Sequence, residues 1–348
     1  MPPKMNNLAP TSQHPLYVAA TSQSKVWPLV RLTLGIALLI ALGLAFLNFR
    51  TLRDWYILAN YQPPTAISAL ANQDDMTSYA RRLFYVNKPQ IETKTIFAGH
   101  CTTSDASAHV IGCYHEGDNG IFLLDVKDPR LNGIIEVTAA YEMLHAGYAR
   151  LNSATRSELN SEMWHFYTRS DISYAIKQQM ASYAISEPGA RYDELYSVLG
   201  TEVATLPKTL EDHFKIYFND RAAIIAQYDG YQAAFNSREA AISADNVKLS
   251  ALHSQIDSNE NQLNNILSNI NFEQQTLNTE RSAGSIAIYN SGVAGFNSLV
   301  DQYNQLVFTV RSEITQYNSL VSVSNQLAIE DQQLVEAITS TPSTQTTK

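Results

Sequence analysis

The chain is 348 residues long, with 24 Lys and Arg against 33 Asp and Glu, for a net charge of −9. That length leaves room for two domains, and the acidic balance excludes the basic face on which nucleic-acid binding depends. Hydrophobic residues make up 45% of the chain and tyrosines number 19, and no Gly-rich phosphate loop, dinucleotide fingerprint or G-x-S-x-G elbow occurs.

Residues 1–25 are rich in Pro, Ser, Thr and Gln without apolar periodicity, and read as a disordered tail. Residues 26–49 turn apolar, and Leu32 to Leu47 carries no charge. This approaches the roughly 20 residues that span a bilayer, with Trp27 and Trp55-Tyr56 as interfacial anchors. A cleaved signal peptide is the alternative, but the apolar run is long and no small-x-small site follows it, so a single anchor is expected. Lys4, Lys25 and Arg31 precede the apolar run, and Arg50 and Arg53 follow it. This slight bias, together with paired cysteines beyond the anchor, predicts a cell-membrane protein with a cytoplasmic N-terminus and its bulk outside.

Residues 50–220 read as one α+β domain. Helices are expected at Thr65–Ala71 and Met76–Phe84, the second after Asp74-Asp75, with Tyr85-Val86 opening a strand. Strand signals follow at Thr93–Phe97, Val110–Tyr114 and Ile121–Val126, separated by Gly, Asp, Asn and Ser. A small sheet on a helix at 134–151 would complete the layer. From 155 to 220 the pattern is helical, broken at Ser186-Glu187-Pro188-Gly189 and Leu206-Pro207. Ile172, Ala175, Ile176, Met180 and Tyr183 form an apolar face there, expected against the 134–151 helix. Cys101 and Cys113 have eleven residues between them. A disulfide closing such a loop would contribute roughly 3 kcal/mol. A zinc pair with His100, His109 or His115 is the rival, but no second Cys pair completes such a site, and the disulfide is preferred.

The most informative run is the helix carrying Tyr141-Glu142-Met143-Leu144-His145. Tyr141 and His145 fall one turn apart on one face with Glu142 beside them. This is the layout of H-E-x-x-H, in which two His hold zinc and Glu acts as general base, with the first His replaced by Tyr. Spacing alone is weak: Glu162-Met163-Trp164-His165 repeats it, and a His on an apolar helix face is more often a hydrogen-bonded core residue. The context adds to it. A buried strand lies just upstream, and Asp193 to Glu202 forms a later helical segment. This order resembles zincin metallopeptidases of the gluzincin type, and I-E-V-T-A-A-Y-E-M-L-H-A resembles membrane-anchored bacterial proteins that read A-A-H-E-M-L-H-A. The resemblance covers about residues 50 to 220. It implies His145 as zinc ligand, Glu142 as catalytic base and Glu194 as third ligand, with Glu202 as fallback. Glu194 and Glu202, eight residues apart, can face one side of a single helix.

Residues 221–338 hold the strongest periodicity. Tyr289, Val293, Phe296, Val300, Tyr303, Val307, Val310, Ile314, Tyr317 and Val321 alternate by four and three, the seam of a coiled coil. Tyr228, Tyr231, Phe235, Ile242, Leu249, Leu252, Ile256, Leu263, Ile266, Ile270 and Leu277 supply a partner seam, interrupted by Arg238, Asp245 and Asn259. With Ser282-Ala283-Gly284-Ser285 as the tip, the expected form is an antiparallel hairpin on the order of 80–90 Å long, a parallel homodimer being the rival. Residues 339–348 read as a disordered tail.

The expected architecture is therefore α+β and mostly helical: a transmembrane helix, a zincin-like domain and a long coiled-coil hairpin. Two functions fit. One is a membrane-anchored metallopeptidase-like envelope protein. Its zinc site is degenerate, because a phenol with an ordinary pKa near 10 is a poor ligand, and peptide hydrolysis is expected to be absent or feeble. The other is a non-enzymatic structural or interaction protein that presents the hairpin to a protein partner.

Overall fold

The computed structural model describes residues 26–101, 110–116, 120–186 and 188–340. The expected tail at 1–25, most of that at 339–348, and His109 lie outside them. The chain divides into two units, 1–60 and 61–348.

The first unit holds α1 (Val26–Leu47) and α2 (Phe49–Asn60). Side chains from Val30 to Phe46 are exposed along α1. No single helix among the described residues is long and apolar enough to cross a membrane. Val30–Phe46 and Phe49–Asn60 satisfy length and composition together, with a bend of 72° between them.

The second unit is mostly helical, built round one three-stranded sheet. After α3 (Thr65–Gln73) and α4 (Ser78–Val86) come β1 (Gln90–Glu92), α5 (Lys94–His100), β2 (Gly112–His115) and β3 (Gly120–Leu124). The sheet order is β1-β3-β2, with β1 parallel and β2 antiparallel to β3. All five residues of β3 are buried. Ile121 and Leu123 point into the main helical core, whereas Phe122 and Leu124 point into a second core on the other face. A short central strand buried on both faces accounts for its unbroken apolar run.

Two expectations are corrected in this region. Thr93–Phe97 is not a strand. Thr93 takes the extended N-cap conformation, its carbonyl accepts from Phe97 N–H at 2.9 Å, and α5 follows. Phe97 and Cys101, four residues apart, face the second core together, so burial on one helix face overrides the β-branched appearance of the run. Likewise α4 begins at Ser78, because the Thr77 hydroxyl caps Ala80 N–H, and it runs through Tyr85-Val86, where a strand was expected.

Helix α6 (Ile134–Tyr148) is the axis of the main core, followed by α7 (Ser153–Arg169), α8 (Tyr174–Ser186), α9 (Arg191–Thr201) and α10 (Lys208–Phe214). Ala139, Ala140, Met143, Leu144 and Ala146 of α6 are fully buried. Helix α9 packs on α6 closely enough that a Cβ at Gly200 would lie 2.3 Å from Leu144 Cδ1. Ile172, Ile176 and Met180 are buried as expected, with Ala175 exposed, and α8 packs chiefly on α9.

The two C-terminal helices, α11 (Arg221–Ser282) and α12 (Ile286–Ile338), pack along one another as a hairpin turning at Ala283-Gly284-Ser285. At 1.5 Å per residue α11 is about 90 Å long. Every third or fourth residue from Tyr228 to Glu280 is at least half-buried while its neighbours are exposed, which is the predicted seam. One seam position differs. Ile314 is 39% exposed, and Glu313 turns inward instead, where Asn259 Nδ2 donates to both its carboxyl oxygens at 2.9 and 3.0 Å. A buried amide needs a partner more than one more methyl group needs burial, so the polar layer decides the local rotation.

The hairpin is rooted in the domain. Arg221 is buried and donates to the carbonyls of Leu199, Val203 and Ala204 and to the Glu211 carboxylate. Ile224 and Tyr228 enter the main core. At the other end of the hairpin, Leu334 and Ile338 pack against Phe122 and Leu124 of β3, and Lys94 Nζ donates to the Glu336 carbonyl.

Candidate functional site

The residues singled out in the sequence converge on one cleft of about 620 Å³. Its floor is α6, through Thr138, Tyr141, Glu142 and His145. One wall is the edge strand β2. The other is α8 and α9, through Gln179, Tyr183, Asp193 and Glu194, closed by Glu202 and by Tyr231 of α11. Helical spacing puts Tyr141, Glu142 and His145 on the cleft side of α6. Glu194 and Glu202 come from one face at the two ends of α9, with Glu202 its C-cap. The second Glu-x-x-His lies elsewhere: Glu162 pairs with Thr209, and His165 is exposed on α7 against Arg169.

Strand β2 lies directly on α6. A Cβ on Gly112 would come within 2.5 Å of Thr138 Cγ2 and 2.8 Å of Glu142 Oε1, so only glycine lets the strand seat over the Glu142 carboxyl. The same strand carries Cys113, joined by a disulfide to Cys101 at the end of α5 with Cα atoms 5.8 Å apart. Both cysteines line the cleft.

At the centre, the Tyr141 hydroxyl donates to Glu194 Oε2 at 2.6 Å. His145 Nδ1 lies 2.8 Å from Asp193 Oδ1, and Nε2 lies 3.7 Å from Glu194 Oε1. Both imidazole nitrogens therefore face carboxylates. Burial pulls the His145 pKa down, but the Asp193 hydrogen bond and the charges of Glu194, Asp193 and Glu142 outweigh it and hold the group up at about 10. His145 is an imidazolium at neutral pH, and its proton neutralises part of the surrounding charge. Burial and the nearby Tyr183, Glu194 and Glu202 push the Tyr141 phenol well above its ordinary range, so it stays protonated.

The hydrogen bonds continue outward. Gln179 Nε2 donates to Glu202 Oε1 at 3.1 Å, and Tyr183 and Tyr228 lie beside Tyr141 and Glu202 respectively. Burial, and less strongly the Glu194 charge, raises Glu202 to about 7 against the Gln179 bond and the Tyr228 hydroxyl.

A catalytic zinc requires three protein ligands and an open position. The separation of His145 Nε2 and Glu194 Oε1 leaves room for an ion bound by both, with ligand distances of about 2.0–2.2 Å. The third position carries a protonated phenol that hydrogen-bonds one of those two residues. Among the described residues no three His, Cys, Asp or Glu side chains are placed to hold a metal ion together.

Sequence reasoning missed Asp193, which fixes the His145 ring, and the roles of Gln179, Tyr183 and Tyr228. Asp193 sits beside Glu194 and is the one carboxylate a second reading of that segment would have offered. Tyr183 and Tyr228 were hidden because each also completes an apolar pattern. No protein-family model, no curated protein and no solved structure matches the chain.

Proposed function

We propose that this chain is a membrane-anchored interaction protein of the cell envelope, in which a zincin-like domain without peptidase activity serves as the mount for the coiled-coil hairpin. One observation carries the reading. The Tyr141 hydroxyl bonds Glu194 at 2.6 Å, so the residue replacing the first zinc His satisfies the would-be third ligand without a metal. With Tyr141 kept as a phenol and both nitrogens of His145 facing carboxylates, the polar groups are mutually satisfied by protons and hydrogen bonds. The anchor is the apolar stretch 26–49 at the N-terminal end, with the domain and hairpin outside the membrane. The hairpin's surface is Ser-, Asn- and Gln-rich, which suits an extended protein partner better than an anionic lipid surface.

The test is metal content by inductively coupled plasma mass spectrometry, with a peptide-hydrolysis assay, on the full chain in detergent. The parent is expected to carry no stoichiometric zinc and to leave peptides intact, whereas Tyr141→His, which restores a third ligand, gains zinc. Stoichiometric zinc in the parent that is lost in His145→Ala would overturn the proposal.

A further inference from the structure

We propose that the Cys101–Cys113 bond is a thiol–disulfide exchange centre opening on the cleft, with Cys113 as the nucleophilic sulfur and His115 as its acid–base partner. The His115 ring Nε2 lies 3.3 Å from Cys113 Sγ, close enough to exchange a proton with a thiol at that position or to stabilise its thiolate as an imidazolium. The two cysteines divide the labour by exposure. Cys113 is half-buried on the edge strand, and Cys101 is 5% exposed at the end of α5. An accessible sulfur with a basic neighbour and a buried resolving sulfur is the arrangement that exchange requires.

Each cysteine is also held without the bond between them. Cys113 is paired to Phe122 in the β2–β3 ladder, and Cys101 N–H donates to the Phe97 carbonyl at 2.8 Å. In the dithiol form the two sulfurs remain apposed, so re-closure needs no refolding. Both residues line the cleft, and the half-buried Cys113 is the one a thiol would meet while the domain stays folded.

The reaction partner is a thiol pair, such as a dithiol reductant or two cysteines of an extended polypeptide. A substrate thiolate attacks Cys113 Sγ. A substrate–Cys113 bond forms, the Cys101–Cys113 bond breaks, and Cys101 leaves as thiolate and takes up a proton. The second substrate thiol, deprotonated, then attacks the substrate sulfur of that mixed disulfide. The substrate disulfide forms, and Cys113 leaves as a thiolate stabilised by protonated His115. The substrate pair loses two electrons and two protons and the protein gains them. In reverse, the Cys113 thiolate attacks a substrate disulfide and Cys101 resolves the intermediate.

The experiment uses the full chain in detergent with dithiothreitol and no denaturant, with free thiols trapped by a maleimide mass tag over time. The expected result is reduction within minutes while the circular dichroism stays native, and re-closure with oxidised glutathione. In the reduced protein, the pH midpoint for alkylation of Cys113 should lie below the ordinary 8.5 of a cysteine thiol. It should rise in His115→Ala, with native-state reduction slowed roughly tenfold. A bond that stays closed for hours until denaturant is added is a structural disulfide, and the proposal fails. It fails equally if Cys113 alkylates with a midpoint at or above 8.5 in the parent, whatever His115→Ala or the milder His115→Gln does.

Discussion

Replacing Tyr141 by Phe removes one oxygen and leaves the ring, whose centroid lies 5.0 Å from that of His145, in place. The lost oxygen is the donor to Glu194 Oε2 at 2.6 Å, and Glu194 is only 5% exposed, so water cannot readily take its place. A net hydrogen bond to a charged group contributes about 1.5–3 kcal/mol. For a unit spanning residues 61–348 that corresponds to a drop in melting temperature of roughly 2–5 °C. Urea unfolding followed by tryptophan fluorescence, to which Trp164 on α7 contributes, would measure it. A double-mutant cycle with Glu194→Gln should give a coupling of at least about 1 kcal/mol, because the two groups share one bond. A Tyr141→Phe variant within about 0.5 kcal/mol of the parent, or a coupling near zero, would refute the claim that this hydroxyl closes the site.

Stability should fall with rising pH in two windows. The folded-state pKa of Glu202, about 7, is raised above the ordinary 4.5, so the folded protein binds the extra proton and loses stability as pH rises from about 4.5 through 7. His145, raised from 6.5 to about 10, contributes stability that is complete below about 6.5 and is lost as pH rises through 10. Melting curves from pH 5 to 10 should show Glu202→Gln removing the lower window alone, a relative gain of up to about 3 kcal/mol by pH 8; an unchanged pH profile would contradict it. Gly112→Val forces atoms into space held by Thr138 and Glu142 and should cost about 1–3 kcal/mol, read as a lower urea midpoint. Asn259→Ala strands the inward Glu313 carboxyl and should destabilise by about 1.5–3 kcal/mol, with Asn259→Leu combined with Glu313→Leu restoring the loss.

The hairpin was legible because its pattern repeats. A four-three alternation over many turns averages out local exceptions, and the tip at Ser282-Ala283-Gly284-Ser285 fell within a residue of the observed turn. The exceptions themselves were not legible. Nothing in the run around Ile314 says that Asn259, on the opposite helix, will draw Glu313 inward. Short elements failed for a related reason: five residues such as Thr93–Phe97 carry too little periodicity to separate strand from helix, and burial of Phe97 with Cys101 decided it. In the site, spacing singled out Tyr141, Glu142 and His145, the family resemblance pointed to Glu194 and Glu202, and all five line the cleft. Asp193 escaped because its role depends on which imidazole nitrogen faces which helix, a property of the packing angle between α6 and α9.

Both ends of the hairpin are built into the domain, Arg221 on one strand of it and Leu334 and Ile338 on the other. An arm fixed at its base behaves as a lever, not as a tether. Over about 80 Å, a rotation of about five degrees at the root carries the tip on the order of 7 Å. Tyr228 and Tyr231, near that root, lie against the Glu202 end of the cleft. The residues that line the Glu202 end of the cleft are thus also residues of the lever's root, where any rotation is magnified most at the tip.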